Sequence, residues 1–514
     1  MKKIMTFVAA LSVAAMSFGQ GEMDAYRLSQ NDLQGSARGQ AMAGAFGALG
    51  GDITGVAINP AGIGVYRSSE IVANIGASVI GTNTKWNSDE NSKSTSNLNF
   101  ANIAYIGYYP LSQDKMSSLN FGFNFNRVKN FDGKYRASRV AMPTSLTDYI
   151  AYRTNGTPSS TWEITDNTIY NTGAPWLGIL SWDAGLINQG RNNDEYVSIL
   201  NGGELVNPTL NITEKGHISA YDFTIGADVR HRFYWGVTVS ITDVDYSMHS
   251  DYAESFEGSG GFDLGNELIT KGSGLQLKTG IIFRPIDELR LGLAYQSPVW
   301  YSLTDYYYAA MTPDGIFIDG NPAGMSDTPG DARTDYNLRT PSTLTLSAAL
   351  VFGRNFILSA DFDYRDYRYM NLTEPDGRNY TADNQYIDDD FKESLALRVG
   401  AEVKFTPRFA GRLGIATQTS PYKSDFSNNG DVKKEVMTVG TVPHFAIDEN
   451  TTYLTTGLGF RFTPSFYMDA ALVFRLNEGK LYAFSPMPAE NLASEPADYT
   501  NVTAKALVTL GYKF

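Results

Sequence analysis

Apolar and polar residues alternate along much of this chain with a period of two. Leu119, Phe121, Phe123 and Phe125 interleave with Asn120, Gly122, Asn124 and Asn126. Leu395, Leu397, Val399, Ala401, Val403 and Phe405 interleave with Ala396, Arg398, Gly400, Glu402 and Lys404. Phe356, Leu358, Ala360, Phe362 and Tyr364 do the same with Ser359, Asp361, Asp363 and Arg365. Successive side chains of a strand point to opposite faces, so each segment has one oily and one polar face. The pattern predicts strands near 70–80, 98–109, 117–129, 217–230, 234–248, 269–284, 288–302, 337–352, 355–369, 391–405, 409–420, 451–463, 466–478 and 501–514, about fourteen in all.

A soluble sandwich also alternates. The connections discriminate. Short turns at 109–116, 231–234, 284–288, 353–355, 406–409 and 463–465 take turns with long polar excursions near 81–97, 130–216, 249–268, 303–335, 370–390, 421–450 and 479–500. Tight periplasmic turns, long extracellular loops and an even strand number are the rhythm of a transmembrane β-barrel. The fold class is therefore all-β: an antiparallel transmembrane barrel of about 14 strands.

Composition agrees. The 514 residues include 31 Tyr, 28 Phe and 49 Gly, and mean hydropathy is only −0.24, as expected when lipid-facing and polar positions alternate. No run is long and apolar enough for a helical span. With no cysteine, disulfides, thiolate metal sites and cysteine nucleophiles are all excluded. A net charge of −14 without a basic stripe argues against nucleic acid.

The two ends carry address signals. Lys2 and Lys3, the apolar run 4–18, and small Ser17 and Gly19 read as a secretory signal peptide over 1–19, cleaved before Gln20. At the other end Val502, Ala504, Ala506, Val508, Leu510, Tyr512 and Phe514 share one face. Tyr512 and the terminal Phe514 resemble the signature read by the outer-membrane assembly machinery.

Residues 20–69 precede the first strand and are rich in small residues, including Ala43-Gly44-Ala45-Phe46-Gly47 and Asn59-Pro60-Ala61-Gly62. Glycine permits close backbone approach. Such a coil fits inside a narrow barrel, so 20–69 is expected to be a plug and 70–514 the barrel.

The stretch "SARGQAMAGAFGALGGDITGVAINPAGIG" resembles the N-terminal segment of the FadL/TodX family of outer membrane transport proteins, in a Bacteroidetes-like form. "GLAYQSPVWYSL" at 292–303 and "RTPSTLTLSAAL" at 339–350 are also similar to it. The resemblance implies a monomeric fourteen-stranded barrel in the outer membrane, plugged by a hatch that contains Asn59, Pro60, Ala61 and Gly62. It further implies passive passage of hydrophobic small molecules, such as long-chain fatty acids. The ligand would be captured outside, pass to a lumenal pocket, and leave through an opening in the wall. The partners so implied are the ligand, membrane lipid and, during biogenesis, the assembly machinery.

The excursion 130–216 departs from shorter family members. Leu146, Tyr149 and Ile150 fall at helical spacing, as do Trp176, Ile179 and Leu180, with Trp182 nearby. These are candidate ligand-binding residues of an outward-facing apolar groove; the alternative is that they pack together as a cap. Asp222, Asp228, Arg230, Arg290, Asp361, Asp363, Arg365, Arg398, Glu402, Arg412 and Arg475 are expected to face the lumen. Charges of both signs favour mutual bracing over carboxylate binding. His217, His231, His249 and His444 show no ligand-like spacing, although relatives are sometimes labelled haemin receptors. No G-x-S-x-G motif lies near a histidine, so no enzyme activity is expected, nor any cofactor or metal. A barrel that partners a secretion system and binds protein is the other reading.

Overall fold

The computed structural model describes residues 21–111, 116–258, 260–330, 332–353, 355–424, 426, 435–436, 438–487 and 494–514. The expected signal peptide lies outside these residues.

Among the described residues fourteen antiparallel strands form one closed wall. They are β1 Glu70–Trp86, β2 Asp89–Pro110, β3 Ser118–Asn130, β4 Val206–Val229, β5 Phe233–Phe256 and β6 Gly261–Phe283. Next come β7, made of Leu289–Gln296 and Trp300–Asp314, and β8, made of Arg333–Arg339 and Thr343–Phe352. Then come β9 Phe356–Asp366, β10 Glu393–Lys404, β11 Phe409–Gln418, β12 Phe445–Arg461, β13 Phe466–Tyr482 and β14 Ala497–Lys513. Each pairs with its sequence neighbours, and β1 pairs with β14 from Glu70↔Lys513 to Lys85↔Asp498, which closes the barrel.

The alternation decides which face meets lipid. Ile71, Ile75, Phe121, Phe223, Val239, Leu293, Leu346, Leu397, Ile415, Leu454, Leu472 and Leu510 all point outward and are exposed. A continuous belt of this kind is not tolerated in water, but it matches the hydrocarbon of a bilayer. Phe pairs meet across three of the tight turns: Phe405 stacks on Phe409 at 5.7 Å and Phe462 on Phe466 at 5.3 Å, and Phe352 lies tilted against Phe356 at 5.8 Å. They form an aromatic girdle at the periplasmic rim. Tyr512 and Phe514 join it, with Phe514 6.5 Å from Tyr105. No helix among the described residues is long and apolar enough to span a membrane.

Two expected loops are not loops. Residues 81–97 continue their strands into a tight hairpin at 87–88, and 249–256 and 261–268 are likewise strand. Asn87 takes the left-handed backbone such a turn requires, at φ 57°. Outside the membrane both faces of a strand can be polar, so polarity there did not signal a strand's end. β4 and β5 reach 24 residues each, against about ten needed to cross lipid. Their outer halves form a tall extracellular wall.

The chain before β1 runs down the lumen. Helix α1 (Glu22–Ser29) sits at the outer end, α2 (Ala37–Ala41) and α3 (Ile53–Ile58) fill the periplasmic half, and a 3-10 turn, Pro60–Val65, leads out to β1. Ser36 caps α2 by accepting from the Gly39 N–H, and Asp52 caps α3 by accepting from the Thr54 N–H.

Candidate functional site

The hatch is locked to the wall by its expected motif. The Asn59 side chain donates to the carbonyl oxygens of Gly47, at 2.7 Å, and Ile281 of β6, at 3.1 Å, and its oxygen accepts from Ala61 N–H. Pro60 starts the 3-10 turn, where its missing N–H leaves no bond unmade. Ala61 and Gly62 are buried, Gly62 against Gly50 and Gly55. Wall glycines make the close approach possible: a Cβ at Gly280 would overlap the Asn59 amide, and one at Gly236 would overlap the Pro60 carbonyl.

The lumenal charges brace rather than line an open pore. Arg38 of α2 donates to Glu402 at 2.8 Å, Arg412 bridges Glu402 and Asp469 at 2.7 and 2.6 Å, and Arg398 binds Asp363 at 2.7 Å. Asp361 accepts from the N–H groups of Phe46 and Gly47 in the hatch, at 3.0 and 2.9 Å. Asp222 pairs with Lys278 at 3.1 Å, Asp228 lies 3.3 Å from Arg67, Arg290 donates to the Leu49 carbonyl, and Arg365 donates to that of Ser29. Arg230 departs from expectation. It sits exposed on the β4–β5 turn with φ 56°, because the strand ends at Val229. Arg475 does face the lumen, but among the described residues it makes no ion pair with a carboxylate.

The insertion does not present an outward groove. Leu146, Ile150, Ile179 and Leu180 are fully buried and Tyr149 nearly so. Helices α4 (Leu146–Thr154) and α5 (Trp176–Asp183) pack together on the extracellular extensions of the wall. Ser145 caps α4, and buried Glu254 of β5 accepts from the Leu146 N–H at 2.7 Å. Trp176 and Trp182 are half-buried. Trp182 stacks on Trp162 at 5.0 Å and Trp176 lies 5.4 Å from Tyr307 of β7. Nearly all of α5 is apolar, and a helix that is oily all round is a buried one. The candidate ligand residues are thus the core of a cap.

Two cavities flank the hatch inside the barrel. One, of about 210 Å³, lies towards β12–β14 and β1–β4 and reaches outward past α1. The other, of about 200 Å³, lies towards β5–β11. Asp32, Leu33, Gln34 and Tyr453 line both, so the hatch segment between α1 and α2 partitions the lumen. This partition is tied down on one side: Asp32 pairs with Lys129 at 3.1 Å and accepts from the Asn130 N–H at 3.0 Å.

The second cavity abuts a break in the wall. β7 is interrupted at Ser297-Pro298-Val299 and β8, beside it, at Thr340-Pro341-Ser342. Proline cannot donate to a ladder, so both strands lose regular pairing at one height. Val299 N–H donates to the Thr340 hydroxyl at 2.9 Å, and Thr340 N–H to the Val299 carbonyl at 3.0 Å, which ties the two breaks together. Val299, Tyr301, Thr340 and Pro341 line the cavity within. Tyr301, with Trp300, Leu275 and Ile241, also lines a groove on the other side of the wall. Leu275, Trp300 and Ile241 belong to the exposed apolar belt, whereas Tyr301 is buried. Tyr301 therefore borders both the lumenal cavity and the outer groove. Sequence reasoning missed Tyr301, although both prolines sit in strands that otherwise alternate.

His217 and His249 sit on the extracellular extensions of β4 and β5, His231 on a periplasmic turn, and His444 just before β12. His231 bonds Asp228 and Arg67, and His249 lies 3.2 Å from Asp251. They do not converge. Burial holds the His444 imidazole neutral, its pKa pushed down to about 3.

No family model matches the sequence, and no curated protein matches it. The structure is similar to that of a FadL homologue from Pseudomonas aeruginosa, with a TM-score of 0.55 at 12% identity over 94% of this chain and 99% of that one. The P. putida toluene transporter TodX (11% identity, TM-score 0.49) and the Ralstonia pickettii toluene transporter TbuX (13%, 0.46) align over the same 94% of this chain and 99% of theirs. The likeness to the P. aeruginosa protein is one of fold. The chain has the FadL fold, and with its lipid-facing belt it is a multi-pass β-barrel of the outer membrane.

Proposed function

We propose that this barrel passes hydrophobic small molecules across the outer membrane by passive diffusion, and releases them sideways through the wall at the paired breaks in β7 and β8. The observation that carries this reading is the position of Tyr301, with a lumenal cavity on one side and, on the other, a groove in which Ile241, Leu275 and Trp300 sit beside polar Ser273, Ser302, Asn337 and Arg339. Among the described residues the hatch is braced to the wall and the cap packs on the extracellular extensions, which disfavours a general pore for water-soluble solutes. A hydrophobic molecule that reaches the wall has no need to cross the polar periplasmic half of the hatch.

The test is uptake of radiolabelled naphthalene by cells expressing the protein. Tyr301→Ala removes the ring that fills the break and raises the rate. Gly274→Leu places a side chain against Tyr301 and Val299 and lowers it. Rates equal to wild type in both variants, at equal surface expression, would remove the wall from the route.

A further inference from the structure

The cavity beside β12–β14 has a chemistry that narrows the class of ligand, given the transport reading. Its carboxylates are already engaged. Asp32 pairs with Lys129, and Asp448 accepts from Tyr26 at 3.2 Å, from Gln30 at 3.1 Å and from Tyr499. Glu214 accepts from Tyr246 at 2.7 Å and lies 3.7 Å from Arg27, and Asp132 accepts from Asn97. Its cations are not all engaged. Arg27 and Lys129 have acidic partners; among the described residues Arg127 of β3 has none within 4.0 Å and neither have Arg475 and Lys505, although Asp32 and Asp448 attract Arg475 from farther off. Lys505 has only a 3.5 Å contact to the Gln34 amide oxygen.

Arg475 and Lys505 stand together. Val473 faces Lys505 across β13 and β14 while Arg475 faces Thr503, so Arg475 and Lys505 are diagonal neighbours on adjacent strands. Long side chains at such positions reach a common point. Tyr453 faces Arg475 from β12. Arg475 Nε is buried without a hydrogen-bond partner. At the outer end of the same cavity His444 is only 7% exposed and its Nε2 also has none. Tyr26, Tyr135, Tyr453 and Tyr499 supply flat aromatic walls between them.

A plain hydrocarbon seated here would add no partner for Arg475 Nε or His444 Nε2, which have none among the described residues, and would leave Arg475 with Tyr453 and Lys505 with Gln34 alone for hydrogen bonding, which a polar site penalises. A long alkyl acid would satisfy the cations, but its chain would lie against tyrosine hydroxyls and the Asp448 network. We propose that this cavity binds a ring-bearing organic acid, with its anionic group on Arg475 and Lys505, its ring among the tyrosines, and a second polar group on His444 Nε2. Arginine holds a carboxylate by paired, charge-assisted bonds, and aromatic faces receive a ring in offset or edge-on contact.

Calorimetric titration of the detergent-solubilised full barrel with 6-hydroxy-2-naphthoate, naphthalene and hexadecanoate tests this. The wild-type protein is expected to bind the hydroxynaphthoate at least about tenfold more tightly than either other probe. Arg475→Gln with Lys505→Gln removes about tenfold for the hydroxynaphthoate and leaves naphthalene unchanged. A heat-shifted gel band confirms that the variant is a folded barrel, and the wild-type ranking needs no variant. Naphthalene or hexadecanoate binding as tightly as the hydroxynaphthoate overturns the inference. So does an unchanged double variant, or a folded wild-type barrel that binds none of the three. The uptake rates of the Tyr301 variants stand apart from these results, so this site can fail while the wall route holds.

Discussion

Asn59 of the hatch donates a hydrogen bond to the carbonyl of Ile281 in the barrel wall, at 3.1 Å, while its second amide hydrogen goes to Gly47. One side chain thus fastens the plug both to itself and to β6. Asn59→Ala leaves two buried carbonyls with one partner fewer, which weakens hatch docking by about 2–3 kcal/mol. Hydrogen exchange read by mass spectrometry is expected to show faster exchange over 44–65 in the variant, with the wall strands unchanged.

Gly280 and Asn59 make a matched pair. Gly280→Ala forces its methyl into the Asn59 amide and is expected to reproduce the Asn59→Ala exchange pattern. Combining the two substitutions should add little to either alone, because both break the same contact. Additive effects would show that the contact is not shared.

The Arg38–Glu402–Arg412–Asp469 chain is buried apart from a part of Arg38. Removing one member of such a network leaves uncompensated charge. Glu402→Gln is expected to destabilise the barrel by about 3 kcal/mol or more, read as a lower temperature for the gel-mobility shift that reports barrel unfolding.

Much of this architecture was legible in the residues themselves. The period-two runs located all fourteen strands because one face must be oily for lipid. The Asn59-Pro60-Ala61-Gly62 segment read as a plug because only small residues fit beside a wall. What stayed hidden has physical reasons. Leu146, Ile150 and Ile179 announce an apolar surface, but sequence does not say whether that surface is covered. Residues 81–97 hid strand continuation because a strand above the membrane needs no oily face. The prolines at 298 and 341 were visible, yet that they fall side by side depends on the β7–β8 register, a non-local fact. Arg230 alternates correctly but lies one residue past its strand, in the turn.

The cap gives a contrasting expectation for the insertion. Ile179→Ala removes a fully buried side chain from the cluster that α5 forms with Ile169, Tyr170 and Ala174 and is expected to loosen the cap by about 2–4 kcal/mol. Limited proteolysis should then cut within 140–205 while the barrel core stays intact. A substitution in an exposed groove would leave the proteolysis pattern as it was.

Helix α6 (Thr381–Asp390) carries a pH signature outside the membrane. Asp383 is 2% exposed, and burial pushes its carboxyl up to about 6. A carboxyl raised in the folded state binds its proton more tightly there than in the unfolded chain. Its protonated form therefore favours docking, so stability falls as pH rises from about 4 to 6 and stays lower above that. Asp383→Asn is expected to remove this slope and to stabilise α6 docking at pH 7 by about 2 kcal/mol. Exchange protection of 381–390 measured at pH 4.5 and 7.5 checks both.

The proposed route takes apolar molecules into the lumen and out through the wall beside Tyr301. Photo-labelling of the purified barrel with a naphthalene carrying a diazirine, followed by peptide mass spectrometry, reads that route residue by residue. Adducts are expected on Tyr301, Val299 and Tyr453, and excess unlabelled naphthalene should remove them. Adducts confined to the outer belt, at residues such as Leu346, Ile415 and Leu454, and insensitive to competition, would contradict it.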